Sequence, residues 1–277
     1  MRTITDTLYR NLKSYQKGCS FFKQSVCSRS GGCRCWLWSE VWAYIDSIIP
    51  DEYKHFTIQD FTGMRDGDEL LSPKIVAAAR DVLVKYTWNG VAANQDYDET
   101  WLTKCILNKR YEEGSSLIIY GDPWKQSVSG QNRPFRKPLG RTMLAAIVMK
   151  EVIFQRLLPG HSSDSYAWVH FQTLCHRLMD KAHGNKDYDD EIASYEQADW
   201  LVVDGIQMLP STDAMRGFKA SVLEKLFGER TENKLPNILV FQDDISKFDD
   251  LQFDFGPSIN SIINSRKTHR VVMLDKK

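Results

Sequence analysis

The sequence predicts an α/β fold in which a mostly parallel sheet is covered by helices on both faces. Two observations predict it. Short apolar runs alternate with helix-length segments through the second half of the chain, and the first of these runs feeds a glycine-containing loop that opens a helix. A third feature, four cysteines crowded near the N-terminus, sets a small module apart from the sheet.

The first expected strand is Leu117-Ile-Ile-Tyr120, which breaks off at Gly121-Asp-Pro123. If the fourteen residues from Trp124 to Lys137 are set aside as an insertion, the flanks join as GDP-PLGRT. That is the outline of a phosphate-binding loop with Arg141 where lysine normally stands. Glycines in such a loop turn backbone N–H groups toward phosphate oxygens, a cation reaches the terminal phosphates, and a Ser/Thr hydroxyl holds Mg²⁺. Gly121, Pro123, Gly140, Arg141 and Thr142 are therefore the candidate nucleotide-binding residues, with Thr142 also a magnesium ligand. Arg141 keeps the charge but replaces a compact ammonium with a wide planar fork. A strand, a Gly-Pro loop and a helix also occur together without a phosphate.

Downstream, the apolar pattern predicts a helix from Leu144 to Leu158, a strand from Tyr166 to Phe171 and a helix from Gln172 to His183. The run Trp200-Leu-Val-Val-Asp204 then reads as a strand ending in a carboxylate. In nucleotide-binding α/β proteins, the strand beside the phosphate loop ends in an Asp that reaches Mg²⁺. Asp204 is the candidate for that catalytic and metal-binding role. Further strands are expected in Asn237-Ile-Leu-Val-Phe-Gln242 and Arg270-Val-Val-Met-Leu274.

The insertion carries Lys125, Arg133, Arg136 and Lys137, two aromatics and no acid. Basic residues interleaved with rings suit a phosphate backbone and stacked bases, so these four are the candidate contacts to single-stranded DNA. A solvated Ser/Gly/Asn/Pro loop, or a loop folding over an empty phosphate site, accounts for the same residues.

Near the N-terminus, Cys19, Cys27, Cys33 and Cys35 fall within seventeen residues. Four thiolates can enclose a tetrahedral Zn²⁺ and stabilise a segment too small for its own core. Reduced surface thiols or disulfides are the other readings, and the absence of a cleavable signal peptide disfavours disulfides. Over residues 1–35, around these cysteines, seven basic residues stand against one acid, Asp6, so this stretch is locally basic. Trp36, Trp38 and Trp42 follow at helical spacing, as a packing face of this chain or of a partner. Cys105 and Cys175 lie on apolar helical faces and read as buried thiols. His55, His161, His170, His176, His183 and His269 show no ligand spacing and read as structural.

Composition bounds the alternatives. With 277 residues, 42% hydrophobic, the chain can hold one α/β core and a small appendage. Its 36 basic residues balance 36 acidic ones, so any nucleic-acid contact rests on local patches. No apolar run approaches the roughly 18 residues needed to span a bilayer, and a cytoplasmic protein without a membrane partner is expected. Three parts follow: a Cys-rich module over 1–47, a helical lead-in over 48–116 and the α/β core over 117–277.

The motifs Ile49-Pro50-Asp-Glu-Tyr53 and Ile58-Gln-Asp60-Phe61, then LIIYG, YAWVHFQTLCHRLM, ADWLVVDGIQ, an expected helix from Phe218 to Arg230, NILVF and RVVML, occur in one order. In that order the chain resembles the DnaC/IstB-like branch of the AAA+ ATPases, which comprises helicase loaders and transposition ATPases. The resemblance implies an AAA+-like core, ATP with Mg²⁺, a replicative helicase and single-stranded DNA as partners, assembly with further copies, and a phage or mobile-element setting.

The resemblance also exposes departures. The family's second acidic residue, which polarises the attacking water, is Gly205 here. Its polar sensor falls among Gln242, Asp243 and Asp244; Asp244 is the candidate nucleotide contact, although paired carboxylates repel a triphosphate unless a metal intervenes. The family's Ser-Arg finger corresponds to Ser265-Arg266, which makes Arg266 a catalytic candidate, while a gapless alignment places Ser261-Ile262 there. Such groups act as a unit in phosphoryl transfer, so weak or absent hydrolysis is expected. A helicase loader or recruiter is the function this implies. The alternatives are an active DNA-dependent ATPase assembling on duplex DNA, as in transposition, and a non-enzymatic structural adaptor.

Overall fold

The computed structural model describes residues 42–56, 65–66, 69–70, 77–79, 116–121, 140–157, 164–182, 189–208, 211–248, 250–266 and 268–273. The four N-terminal cysteines, Pro123, the basic residues of the insertion and Cys105 lie outside them.

A short antiparallel pair, β1 (Arg65–Asp66) and β2 (Glu69–Leu70), precedes the core. The core sheet has five strands: β3 (Leu117–Gly121), β4 (Tyr166–His170), β5 (Trp200–Ile206), β6 (Asn237–Phe241) and β7 (His269–Met273). They lie in the order β4-β5-β6-β3-β7, every pairing parallel. β3, β5 and β6 are buried along their whole length. Strands covered on both faces must be apolar throughout, which is why they read as continuous runs rather than alternations.

Among the described residues, the strands are connected and covered by α1 (Arg141–Leu157), α2 (Phe171–Ala182), α3 (Asp189–Gln197), α4 (Asp213–Glu232), α5 (Leu251–Phe255) and α6 (Pro257–Asn264). Alternate strand residues Ile118, Tyr120, Leu201, Val203, Leu239 and Phe241 share one core with Phe171, Leu174, Leu223, Phe227, Ile259 and Ile263. The intervening Leu117, Ile119, Val202, Ile238 and Val240 are equally buried and point to the other face, where α1 lies against β3, β5 and β6. Helices therefore cover both faces, as expected.

The differences from the sequence-based expectation are local. Phe171 opens α2 instead of closing β4, and as a fully buried ring it serves the core in either role. α4 begins at Asp213, five residues before the expected Phe218, because Thr212 caps it: its hydroxyl accepts from the Met215 N–H at 3.3 Å. Thr212→Ala is expected to lower stability by about 1 kcal/mol, read as a shifted urea midpoint at unchanged slope. β5 runs two residues past Asp204, and β6 separates it from β3. Asp204 thus neither ends its strand nor lies on the strand beside the phosphate loop. No helix among the described residues is long and apolar enough to cross a membrane.

Candidate functional site

The carboxyl ends of β3, β5 and β6 and the N-terminus of α1 converge on one edge of the sheet. α1 starts where its sequence permits a turn: Gly140 takes φ +72°, and its carbonyl accepts from the Leu144 N–H at 2.8 Å. Glycine adopts this left-handed backbone without a Cβ penalty. The first-turn N–H groups of α1 have no intrahelical acceptors, an arrangement suited to an anion.

The two residues after Gly140 are engaged across the sheet edge. Thr142 Oγ1 donates to Asp204 Oδ1 at 3.0 Å, joining positions 62 residues apart. Asp204 is buried, and burial pushes its carboxyl above the usual range, against the Thr142 hydrogen bond, the nearby His170, the Gly205 N–H and the Arg141 charge. A hydroxyl and a carboxylate oxygen this close form a hard-oxygen pair of the kind Mg²⁺ prefers. Arg141 is also buried. Its guanidinium donates to the Gln242 carbonyl at 3.4 Å and to Gln242 Oε1 at 3.0 Å, 101 residues away. The Gln242 N–H in turn donates to the Ile206 carbonyl at 2.8 Å, extending the β5–β6 pairing and fixing Gln242 beside α1.

The neighbouring acids point elsewhere. Asp243 Oδ2 accepts from the Met208 N–H at 2.6 Å, and Asp244 Oδ1 accepts from the Ser246 N–H and hydroxyl at 3.1 and 2.6 Å. Asp244 is therefore the N-cap of the short 3₁₀ turn Ile245–Lys247. Gln242, the first residue after β6, is thus joined to Arg141.

Position 205, directly after Asp204, is a glycine for a conformational reason. Its φ is +75°, at a register shift between Val203 and Ile206. A Cβ built on it would lie 2.7 Å from His170 Nε2. His170 pairs in register with Asp204 from β4, so its imidazole stands where a side chain at 205 would begin. The left-handed backbone strains any side chain at this position, and a Cβ there would require the exposed His170 imidazole to move aside. The histidine read as isolated from its sequence spacing thus borders the site, because strand register makes it a neighbour of Asp204.

A further site residue comes from far upstream. The 3₁₀ turn Asp51–Tyr53 brings the half-buried Tyr53 phenol within electrostatic reach of Thr142 and Asp204. Burial and the Asp204 charge hold its hydroxyl above its usual pKa, opposed by a hydrogen bond with Thr142. The segment is fastened to α1 by Lys150, whose ammonium donates to the carbonyls of Lys54 (3.3 Å) and Phe56. Sequence reasoning saw Tyr53 only as part of a motif, since nothing local to it points to Thr142.

Arg266 is exposed, in the turn before β7. β7 runs parallel to β3 with His269 opposite Leu117, so Arg266 lies at the amino end of the sheet. A five-residue strand is about 16 Å long, which separates Arg266 from Thr142 and Asp204 of its own chain. Cys175 is buried in α2, as expected, and burial pushes its thiol up to about 12. Among the described residues, no group of three or more His, Cys, Asp or Glu side chains could hold a metal ion.

No family model matches the sequence, and no curated protein sequence does. Solved structures similar to the chain include the DnaC helicase loader, at 17% identity and TM-score 0.42, covering 68% of this chain and 98% of the other. A candidate primosome component from Streptococcus pyogenes serotype M3 is similar at 16% identity and TM-score 0.45, over 84% and 94% of the two chains. DnaI is similar at 12% identity and TM-score 0.42, over 77% and 93%.

Proposed function

We propose that the protein binds a magnesium–nucleoside triphosphate at the carboxyl edge of its sheet and hydrolyses it weakly or not at all. The observation that carries this reading is the contact of Thr142 with Asp204 at the N-terminus of α1, beside a glycine at 205 whose backbone disfavours a side chain. The first-turn amides of α1 bind phosphate oxygens, Arg141 supplies positive charge while tied to Gln242, and Thr142 and Asp204 hold the cation. Bound Mg²⁺ would neutralise phosphate charge. Without a carboxylate at 205, the chain lacks the group that the family it resembles places against the attacking water.

The sequence resemblance extends this reading to biology: a helicase loader or recruiter, AAA+-like, acting in DNA replication. In it the Cys-rich module, with or without zinc, grips the helicase. Lys125, Arg133, Arg136 and Lys137 contact single-stranded DNA, and Arg266 serves a neighbouring copy. Its position at the opposite end of the sheet is compatible with a neighbour's site and not with its own.

The test is ATP binding and hydrolysis by purified protein, with and without single-stranded DNA, beside Arg141→Ala and Asp204→Ala. Measurable binding with little turnover is expected, and each substitution should weaken binding at least tenfold. Rapid turnover abolished by both substitutions would refute the weak-hydrolysis reading. Binding indifferent to both would remove the site.

A further inference from the structure

We propose that a polar cavity at the amino end of the sheet, opposite the nucleotide edge, binds a phosphate group through the Lys234 ammonium and the Ser116 and Ser261 hydroxyls, over the buried charge of Arg230. It stands whether or not α1 binds a nucleotide.

The cavity, about 230 Å³, lies where the residue before β3, the end of α4, the start of β6 and α6 meet, and no acid lines it. Counting hydrogens shows which of its donors are free. Ser116 Oγ accepts from the Asn237 N–H at 3.3 Å and from Asn237 Nδ2 at 3.4 Å, so its lone pairs are used and its hydrogen is left to give. Thr231 Oγ1 is buried with no hydrogen-bond partner. Among the described residues, the Ser261 hydroxyl and the Lys234 ammonium make no hydrogen bond or ion pair.

Two observations make the missing partner an anion. The first is Arg230. Its hydrogens go to Asn237 Oδ1 and to backbone carbonyls, all neutral, and among the described residues no carboxylate lies within ion-pair distance of it. Asp199, the acid whose charge bears on it, gives its Oδ2 to the Ser165 N–H and hydroxyl at 2.7 and 2.8 Å. A buried cation without a counter-ion makes the cavity beside it electropositive, and a low dielectric carries that charge further than water would. The second is Lys234. Alone among the described non-glycine residues it has a positive φ, +55°, just past the end of α4, where glycine is the usual residue. The chain thus bears a strained lysine where glycine would turn more easily, and so sets an ammonium at the cavity's rim.

Carbonyls that would repel an anion are taken up at both helix ends. The Arg230 carbonyl accepts from the Leu235 N–H at 2.9 Å, and the Ile262 carbonyl accepts from the Ser265 N–H at 3.2 Å and from Thr268 Oγ1 at 2.6 Å. Donors that converge from separate elements suit the spread oxygens of a tetrahedral phosphate better than the two coplanar oxygens of a carboxylate.

The experiment follows thermal unfolding of the full chain as inorganic phosphate replaces chloride at constant ionic strength, in wild type, Lys234→Gly, Ser261→Asp and Arg141→Ala. Lys234→Gly relieves the left-handed strain, so without phosphate it should melt about as high as the wild type. With phosphate at about tenfold its Kd the wild type is expected to gain about 3–6 °C, and Lys234→Gly and Ser261→Asp less than about half of that. Arg141→Ala should keep the gain, which separates this cavity from α1. An equal gain in all four proteins would be exclusion of the salt from the protein surface and would overturn the site, as would no gain over chloride. A gain lost in Arg141→Ala alone would assign the phosphate to α1 and overturn it too. Should Lys234→Gly fold poorly, Ser261→Asp decides, since that position is exposed on α6. A dT oligomer without a terminal phosphate, titrated on the same proteins, tells the two sources apart: a Lys234-dependent gain assigns the backbone phosphate of a strand, and its absence assigns free phosphate or a monoester.

Discussion

Arg230→Met is expected to destabilise the protein by about 3–5 kcal/mol, although Arg230 lies far from the candidate site and touches no ligand. The side chain is fully buried, and burial pushes its pKa down to about 10, against the charge of Asp199. It persists there because its fork is filled by acceptors. Nε donates to Asn237 Oδ1 at 2.6 Å, Nη2 to the Pro236 carbonyl at 2.9 Å, and Nη1 to the carbonyls of Tyr195, Glu196 and Ala198 at 2.9, 3.2 and 2.5 Å. One guanidinium thereby ties the end of α3, the turn into β5 and the start of β6. Methionine would fill much of the volume and leave those oxygens dry and unpaired, at a cost of about 1–3 kcal/mol for each that water cannot reach. A loss of this size is a large part of the 5–15 kcal/mol typical of a domain. Arg230→Lys should recover little, since an ammonium cannot span the same acceptors. Urea unfolding followed by circular dichroism measures both variants; a methionine variant within about 1 kcal/mol of the wild type would disprove the clamp.

Gly205→Glu, which places a second acid directly after Asp204, is expected to cost roughly 2–6 kcal/mol and to add no ATP turnover. Two separate terms make up the cost. A side chain at φ +75° carries about 1–3 kcal/mol of backbone strain, and its Cβ meets His170 Nε2 at 2.7 Å, an overpacking worth about 1–3 kcal/mol. The terms can be separated with His170→Ala. Alone it should be mild, because His170 is solvent-exposed; combined with Gly205→Glu it should return the packing term and leave the strain. Thermal unfolding of the four proteins, with phosphate release alongside, makes the comparison. A Gly205→Glu protein as stable as wild type and newly active would mean that position 205 had simply lost its acid, with no constraint from the fold.

Some of the site was legible because its chemistry is local. Gly140-Arg141-Thr142 is contiguous and opens a helix, and Asp204 stands in an unbroken apolar run, so both could be proposed from residue order and then found 3.0 Å apart. Boundaries were less legible. α1 begins three residues before the expected Leu144 because Gly140 turns the chain into it, which apolar periodicity does not register. β5 continues past Asp204 because a glycine bulge bends the strand instead of ending it. The acidic pair after β6 looked like a charge problem for a triphosphate; capping and backbone hydrogen bonds turn Asp243 and Asp244 to other tasks and leave Gln242 facing Arg141.

By itself, the sequence determined the kind of protein: five apolar strands between helices, a helix opened by a glycine, and a buried carboxylate downstream. Those properties come from short-range periodicity and composition, which the chain carries wherever it is folded. The tertiary structure alone decided the neighbours. Strand order put β6 between β3 and β5, register set His170 over Gly205, and one buried lysine on α1 held the upstream segment that brings Tyr53 within electrostatic reach of Thr142 and Asp204. Such contacts join residues far apart along the chain. They depend on how sheet and helices close on one another, and no local pattern of side chains encodes that closure.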